Sequence, residues 1–322
     1  MRKRNVIAAA LIGLCAAQIQ AQTTDFFELV QNGSPTDVQA AIAQGADVNA
    51  KDSNGCPPLV CNLENTKPDP AVILTLLAAG ADANASDANG YTPLLLAVQK
   101  KLPADLISAL LKAGASAKPT PVEAPLIAAL NNKYPPEIID ALLKAGATAN
   151  DRNRNGVTAL GAALMGNQGS NTISALLKAG ADAKVKTKDG LTTLMLAAAD
   201  DFNPDVVGML VKAGADTQAK DPNGFTALLY ALTWGLAAGS TPNEAIALVN
   251  AGADVNVKDG DGVTALMYAA SSDGAPILIP VLLKAGADAK VKDKSGHKAL
   301  DYAMQNANLK GSPALQLLTA SS

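Results

Sequence analysis

The sequence predicts an all-α solenoid: a stack of helix-turn-helix units joined by short β-hairpin or turn connections. Three observations predict it. First, a Gly-Ala pair recurs at Gly45, Gly80, Gly114, Gly146, Gly180, Gly214, Gly252 and Gly286, at intervals of 35, 34, 32, 34, 34, 38 and 34 residues. Self-similarity at this period marks an array of units that bury their apolar faces against one another. Second, most of these glycines follow a helical stripe, such as Val72-Ile73-Leu76-Leu77, Leu106-Ile107-Leu110-Leu111 or Ile138-Ile139-Leu142-Leu143. Side chains four apart share one helix face. Third, 48% of the 322 residues are hydrophobic but only 3% are aromatic. Ala and Leu therefore fill the core, which suits thin layers of short helices.

Residues 1–21 read as a secretory signal. Met1-Arg2-Lys3-Arg4 is basic, Val6 to Ala17 is apolar and uncharged, and Ile19-Gln20-Ala21 offers a cleavage site before Gln22. The apolar run is short for a membrane span, although an uncleaved anchor is the alternative. Leu14 before Cys15 does not suit a lipoprotein signal. The expectation is export, to a periplasm or as a secreted chain, with no stable membrane insertion after cleavage.

Residues 22–322 then form one repeat domain of about nine units, counting both caps. Residues 25–45 open it as one helical unit. In a full unit a turn comes first: Asp87-Ala88-Asn89-Gly90, Asp221-Pro222-Asn223-Gly224, Asp259-Gly260-Asp261-Gly262 or Asp293-Lys294-Ser295-Gly296, all turn compositions. A short helix follows, as in Thr92-Pro93-Leu94-Leu95-Leu96-Ala97 or Thr264-Ala265-Leu266-Met267-Tyr268-Ala269. Ser34-Pro35, Asp69-Pro70, Asn203-Pro204 and Thr241-Pro242 mark the start of the second, longer helix with a cap before a first-turn proline. Pro103, Pro136 and Pro276 fall at equivalent points. Lys112, Lys144, Lys178, Lys212 and Lys284 stand two residues before the Gly, where positive charge suits the helix dipole. The Gly fits the left-handed position after the helix end. Residues 296–322 close the array.

These units resemble the ankyrin repeat. Its G-x-T-P-L-H-x-A signature appears as Gly90-Tyr91-Thr92-Pro93-Leu94-Leu95-Leu96-Ala97, and its L-L-x-x-G-A-D-x-N signature as Leu76 to Asn84. The resemblance covers about residues 25–322. Departures are local. The commonest period, 34, is one residue above the usual ankyrin period of about 33, and the extra residue is expected in the turn between helices. Leu95, Ile127, Gly161, Met195, Leu229 and Met267 replace the motif His, substituting apolar packing for a polar contact. Lys118 to Glu123 reads as a shortened, proline-stiffened tip. The surplus around residues 234–240 reads as a longer inter-helix loop.

The chemistry available is narrow. His297 is the only His, no phosphate-binding glycine loop is present, and Asp259-Gly260-Asp261-Gly262 lacks the remainder of a calcium loop. No catalytic residue, metal site or cofactor is assigned. A net charge of −3 gives no case for nucleic acid. Lys51, Lys118, Arg152, Lys186, Lys220, Lys258 and Lys292 recur near the tips, either as a ladder for an acidic partner or as a solvated, locally neutral edge.

The resemblance implies a protein-interaction module, expected to be monomeric, that binds another protein through its tips and concave face. It could serve as an inhibitor or immunity protein, or as a scaffold. The alternatives are a spacer without a dedicated partner, or an enzyme with its site on the 233–241 loop. In the ankyrin family the residue after each tip Gly lies near the concave rim. Here those positions hold Cys56, Tyr91, Val157, Leu191, Phe225, Val263 and His297. Tyr91, Val157, Leu191, Phe225, Val263 and His297, with Trp234 on the enlarged loop, are the candidate partner contacts. Tyr230, Tyr268 and Tyr302 are assigned to the core. Cys56 and Cys61 flank the start of one short helix and form a candidate disulfide pair.

Overall fold

The computed structural model describes residues 26–199, 204–235 and 242–322, without the side chain of residue 234. The expected signal segment, Asn203, Thr241 and most of the 233–241 loop lie outside the described residues. The chain divides into two compact units with the boundary between Thr148 and Ala149.

Helix pairs build both units. In the N-terminal unit, helical residues 26–32 pair with Pro35–Ala43, Pro58–Glu64 with Pro70–Ala78, Pro93–Gln99 with Ala104–Lys112, and Pro125–Asn131 with Pro136–Lys144. In the C-terminal unit, Ala159–Met165 pairs with Ser170–Lys178, and Thr193–Ala199 with Pro204–Lys212. Ala227–Tyr230, prolonged by a π-turn at Ala231–Gly235, precedes Asn243–Asn250. Ala265–Ser271 pairs with Ala275–Lys284, and Ala299–Gln305 with Pro313–Ser321. Within each unit, first helices pack on first helices of the next pair and second helices on second helices. Among the described residues no strand forms. The hairpin expectation reduces to turns, three of which carry a single antiparallel bridge: Arg152 with Thr158, Lys186 with Thr192, and Lys258 with Thr264.

The recurring Gly-Ala pair has one physical cause. Each of the eight glycines has φ between +85° and +99°, a conformation that carries a steric penalty for any residue with a Cβ. In every copy two hydrogen bonds close the helix end. Gly80 N–H donates to Leu77 O and Ala81 N–H to Leu76 O, and the same pattern runs to Gly286 with Leu283 and Ala287 with Leu282. This satisfies carbonyls that the last helical turn leaves unpaired. In seven of the eight copies the carbonyl that accepts the longer bond belongs to a core residue: Leu76, Leu110, Leu142, Leu176, Leu210, Leu248 and Leu282 are all fully buried.

Helix starts follow the sequence with three adjustments. Ser34 and Asp69 cap as expected, Asp69 Oδ1 accepting from Ala71 N–H at 2.8 Å. Pro103 and Pro242, however, are themselves the cap residues, and Pro276 is the second residue of its helix rather than the first. The turn between helices, where the extra residue was expected, contains a left-handed residue in three successive repeats: Lys101 (φ 55°), Lys133 (φ 58°) and Asn167 (φ 49°). Each repeats the helix-ending bond pair, as in Lys101 N–H to Val98 O and Leu102 N–H to Ala97 O.

A polar ladder ties neighbouring repeats together. Asn49 Nδ2 donates to Gly80 O and its Oδ1 accepts from Asp82 N–H. Asn84 joins Gly114 and Ser116, Asn150 joins Gly180 and Asp182, and Asn256 joins Gly286 and Asp288 in the same way. Gln218 makes the longer-armed version to Gly252 and Asp254. Asn62 does related work inside the N-terminal unit. It is 1% exposed, donates to Val30 O at 2.7 Å and accepts from Asp69 N–H at 3.2 Å. Asn62→Leu would leave both backbone groups unpaired, so a loss of about 2–4 kcal/mol is expected in urea unfolding of the N-terminal unit. A loss under about 1 kcal/mol would show that the bonds are replaced by water.

Candidate partner-binding surface

Each tip is organised by one side chain. Asp52, Asp87, Asn153, Asp221 and Asp259 accept, through Oδ1, the N–H groups two and four residues later. In the Asp221 copy these are Asn223 at 2.9 Å and Phe225 at 2.8 Å. Asp293 accepts from His297 N–H, and Thr187 Oγ1 from Leu191 N–H. The carboxylates of the tips are thus occupied by turn geometry. That geometry fixes the residue following the tip Gly, because its own N–H is the second donor.

The rim residues do not share one environment. Tyr91, Val157, Leu191, Phe225 and Val263 are half-buried, His297 is exposed and Cys56 is buried at 4%. Val157 and Leu191 line a narrow apolar crevice with Gly161 and Leu196. The side chain of Trp234 lies outside the described residues.

One assignment from the sequence is corrected. Tyr230, Tyr268 and Tyr302 are not core residues; all three are half-buried. Each hydroxyl reaches out of its first helix to the free oxygen of the Asp that organises its own tip. Tyr230 Oη donates to Asp221 Oδ2 at 2.9 Å, Tyr268 to Asp259 at 2.6 Å, and Tyr302 to Asp293 at 2.6 Å. The polar end is fixed, so each ring stands beside the rim residue. Phe225 packs edge-on against Tyr230 with centroids 5.8 Å apart and tilted against Tyr268 at 6.3 Å, and His297 meets Tyr302 at 6.0 Å. Three successive repeats of the C-terminal unit therefore carry a semi-exposed aromatic row held by carboxylates. A sequence signal was present: Asp221 to Tyr230, Asp259 to Tyr268 and Asp293 to Tyr302 are all nine residues apart.

The electrostatics follow from this pairing. Burial, then the Asp221 carboxylate, pushes Tyr230 up to about 12, and burial chiefly raises Tyr268. The bond to Asp293 raises Tyr302 to about 12, and the same bond lowers Asp293. A tyrosine raised above its unfolded value of about 10 contributes stability that is complete below that pH and is lost as pH rises toward 12. The depressed Asp293 contributes stability that is complete above about pH 4 and is lost on acidification below it. The C-terminal unit should therefore lose stability between about pH 10 and 12. Replacing all three tyrosines with Phe should flatten that alkaline limb in pH-dependent thermal melts. An unchanged limb would place the tyrosines outside the coupling.

The positions that replace the motif His are buried, as expected: Leu95, Ile127, Met195, Leu229 and Met267 are at most 1% exposed. Two do more than pack. Met195 Sδ accepts from Thr192 N–H and Met267 Sδ from Thr264 N–H, both at 3.3 Å, so the thioethers restore a local polar contact.

Paired helices, left-handed glycines after the second helix of each pair and Asx-organised tips define a helical-repeat binding protein. Family models agree. A model described as "Ankyrin repeats (3 copies)" matches residues 126–221 and 162–240, and one described as "Ankyrin repeats (many copies)" matches residues 248–303. Together these stretches span more than half of the chain, which belongs to the ankyrin-repeat family and carries that family's protein-interaction module. No curated protein matches the sequence. Among the described residues no helix is long and apolar enough to cross a membrane.

Proposed function

We propose that this chain is an exported binding protein that captures one protein partner on the tips and first-helix face of its C-terminal unit. The observation that carries the reading is the row Phe225, Tyr230, Tyr268, His297 and Tyr302, half-buried or exposed and fixed at its polar ends. Aromatic side chains held in place lose little entropy on binding and dominate interface energetics. Neither catalysis nor a cofactor is part of this reading; the chain acts by occupying its partner, as an inhibitor or immunity protein would. Export rests on the basic-apolar-small order of residues 1–21.

Two measurements test it. The mature chain recovered from an exported fraction should begin at Gln22, whereas a cytosolic chain that retains Met1 to Ala21 refutes export. The immobilised chain should retain a protein from that fraction that a folded Phe225→Ala/Tyr268→Ala variant does not. Equal retention by both refutes the aromatic site.

A further inference from the structure

In two repeats of the C-terminal unit, the residue after the tip Gly meets the side chain five residues later, on the following short helix. Phe225 meets Tyr230 and His297 meets Tyr302. This is the staple geometry that fixes the angle at which a chain enters a helix. In the second repeat that slot holds Cys56 and Cys61. Pro57 is the cap of the helix Pro58–Glu64, so the cysteines stand one residue before the cap and at the fourth helical position. Both are free thiols, buried at 4% and 3%, and they occupy the two staple positions whose side chains meet in the Phe225 and His297 repeats. Cys56 also approaches Glu64 Oε2 at 3.6 Å.

We infer that Cys56 and Cys61 are a disulfide site, so that this one repeat carries a covalent staple where the others carry packing. The fold puts both cysteines at facing staple positions independently of the bond, and the Asx turn at Asp52 fixes the Cys56 backbone, Cys56 N–H donating to Asp52 Oδ1 at 2.8 Å. Bond formation takes two exchanges. One thiolate displaces a thiol from an external disulfide, giving a mixed disulfide. The second cysteine sulfur then displaces the other thiol, so two protons and two electrons leave with an oxidant reduced to two thiols. Burial pushes the Cys61 thiol up to about 11 and Cys56 higher still. Few thiolates therefore exist in the closed tip, and the exchange belongs to the folding chain rather than to the finished fold.

The test uses the full chain, refolded at a fixed ratio of oxidised to reduced glutathione and, in parallel, held in denaturant at the same ratio. Each sample is acid-quenched and alkylated, and the Asp52–Lys100 tryptic peptide is weighed. It carries both cysteines, and Cys15 falls in another peptide. Expected is a peptide lighter by two hydrogens and free of alkyl groups, with the bonded-to-reduced ratio at least about tenfold higher in the folded chain than in the denatured one. A Cys61→Ser variant should refold to the same circular dichroism and gain one alkyl group. Two alkylated thiols in the refolded chain, glutathione adducts in their place, or equal ratios in the two samples would each overturn the assignment.

Discussion

Leu76→Ala is expected to destabilise the N-terminal unit by about 2–5 kcal/mol, while Leu74→Ala changes it by about 0.5 kcal/mol or less. The two leucines lie on the same helix, Pro70–Ala78, two residues apart. Leu76 is fully buried, whereas Leu74 is 47% exposed. Leu76 carries a second duty, because its carbonyl accepts from Ala81 N–H to end the helix. Its helix packs in the layer where second helices meet, against Pro35–Ala43 on one side and Ala104–Lys112 on the other. Truncation removes buried methyl groups and leaves a cavity that short, thin layers collapse only partly. Contacts run between neighbouring repeats, so the damage should spread to adjacent pairs rather than stay local. Urea unfolding followed by circular dichroism reads both variants. Equal effects at the two positions would contradict the assigned face of the helix.

The second large effect concerns binding. Phe225→Ala and Tyr268→Ala should each weaken partner binding by about 2–4 kcal/mol, roughly 30- to 1000-fold in Kd. Tyr268→Phe separates two contributions. It keeps the ring but removes the 2.6 Å bond to Asp259, so it should lower stability by about 1.5–3 kcal/mol and weaken binding less than the Ala variant does. Phe225 is the sharper probe, because its ring touches both Tyr230 and Tyr268 and its loss unseats the row without unpairing a buried polar group. Calorimetric titration with the captured partner, alongside a thermal melt, measures both quantities. Normal folding with unchanged Kd in both Ala variants would exclude the aromatic row from the interface.

Much of this architecture was legible in the sequence, because each signal had a local cause. A left-handed backbone selects Gly, a helix start selects Ser or Asp before Pro, and the result is readable at Gly80 or at Asp69 without knowledge of tertiary contacts. The inter-repeat ladder was half-legible. Asn84 stands in a recognisable motif, but its bonds to Gly114 and Ser116 span about one repeat and appear only once the repeats stack. The tyrosines were misread for the same reason. Tyr268 sits where Leu96 and Ala128 are buried in the N-terminal unit, so helix periodicity assigns it to the core. What turns it outward is the carboxylate of Asp259, supplied by the preceding tip. Burial separates the rim positions further, with Cys56 buried, Phe225 half-buried and His297 exposed. Tip geometry places the backbone of these residues alike, but the following helix decides what covers each side chain.

Hydrogen exchange on the chain, free and bound to its captured partner, tests the central claim most directly. The expected result is slowed exchange on binding at amides 225–230, 263–268 and 297–302, the tips and first helices that carry the aromatic row. Protection confined to the second helices Pro204–Lys212, Asn243–Asn250 and Ala275–Lys284, with those tips unchanged, would contradict it.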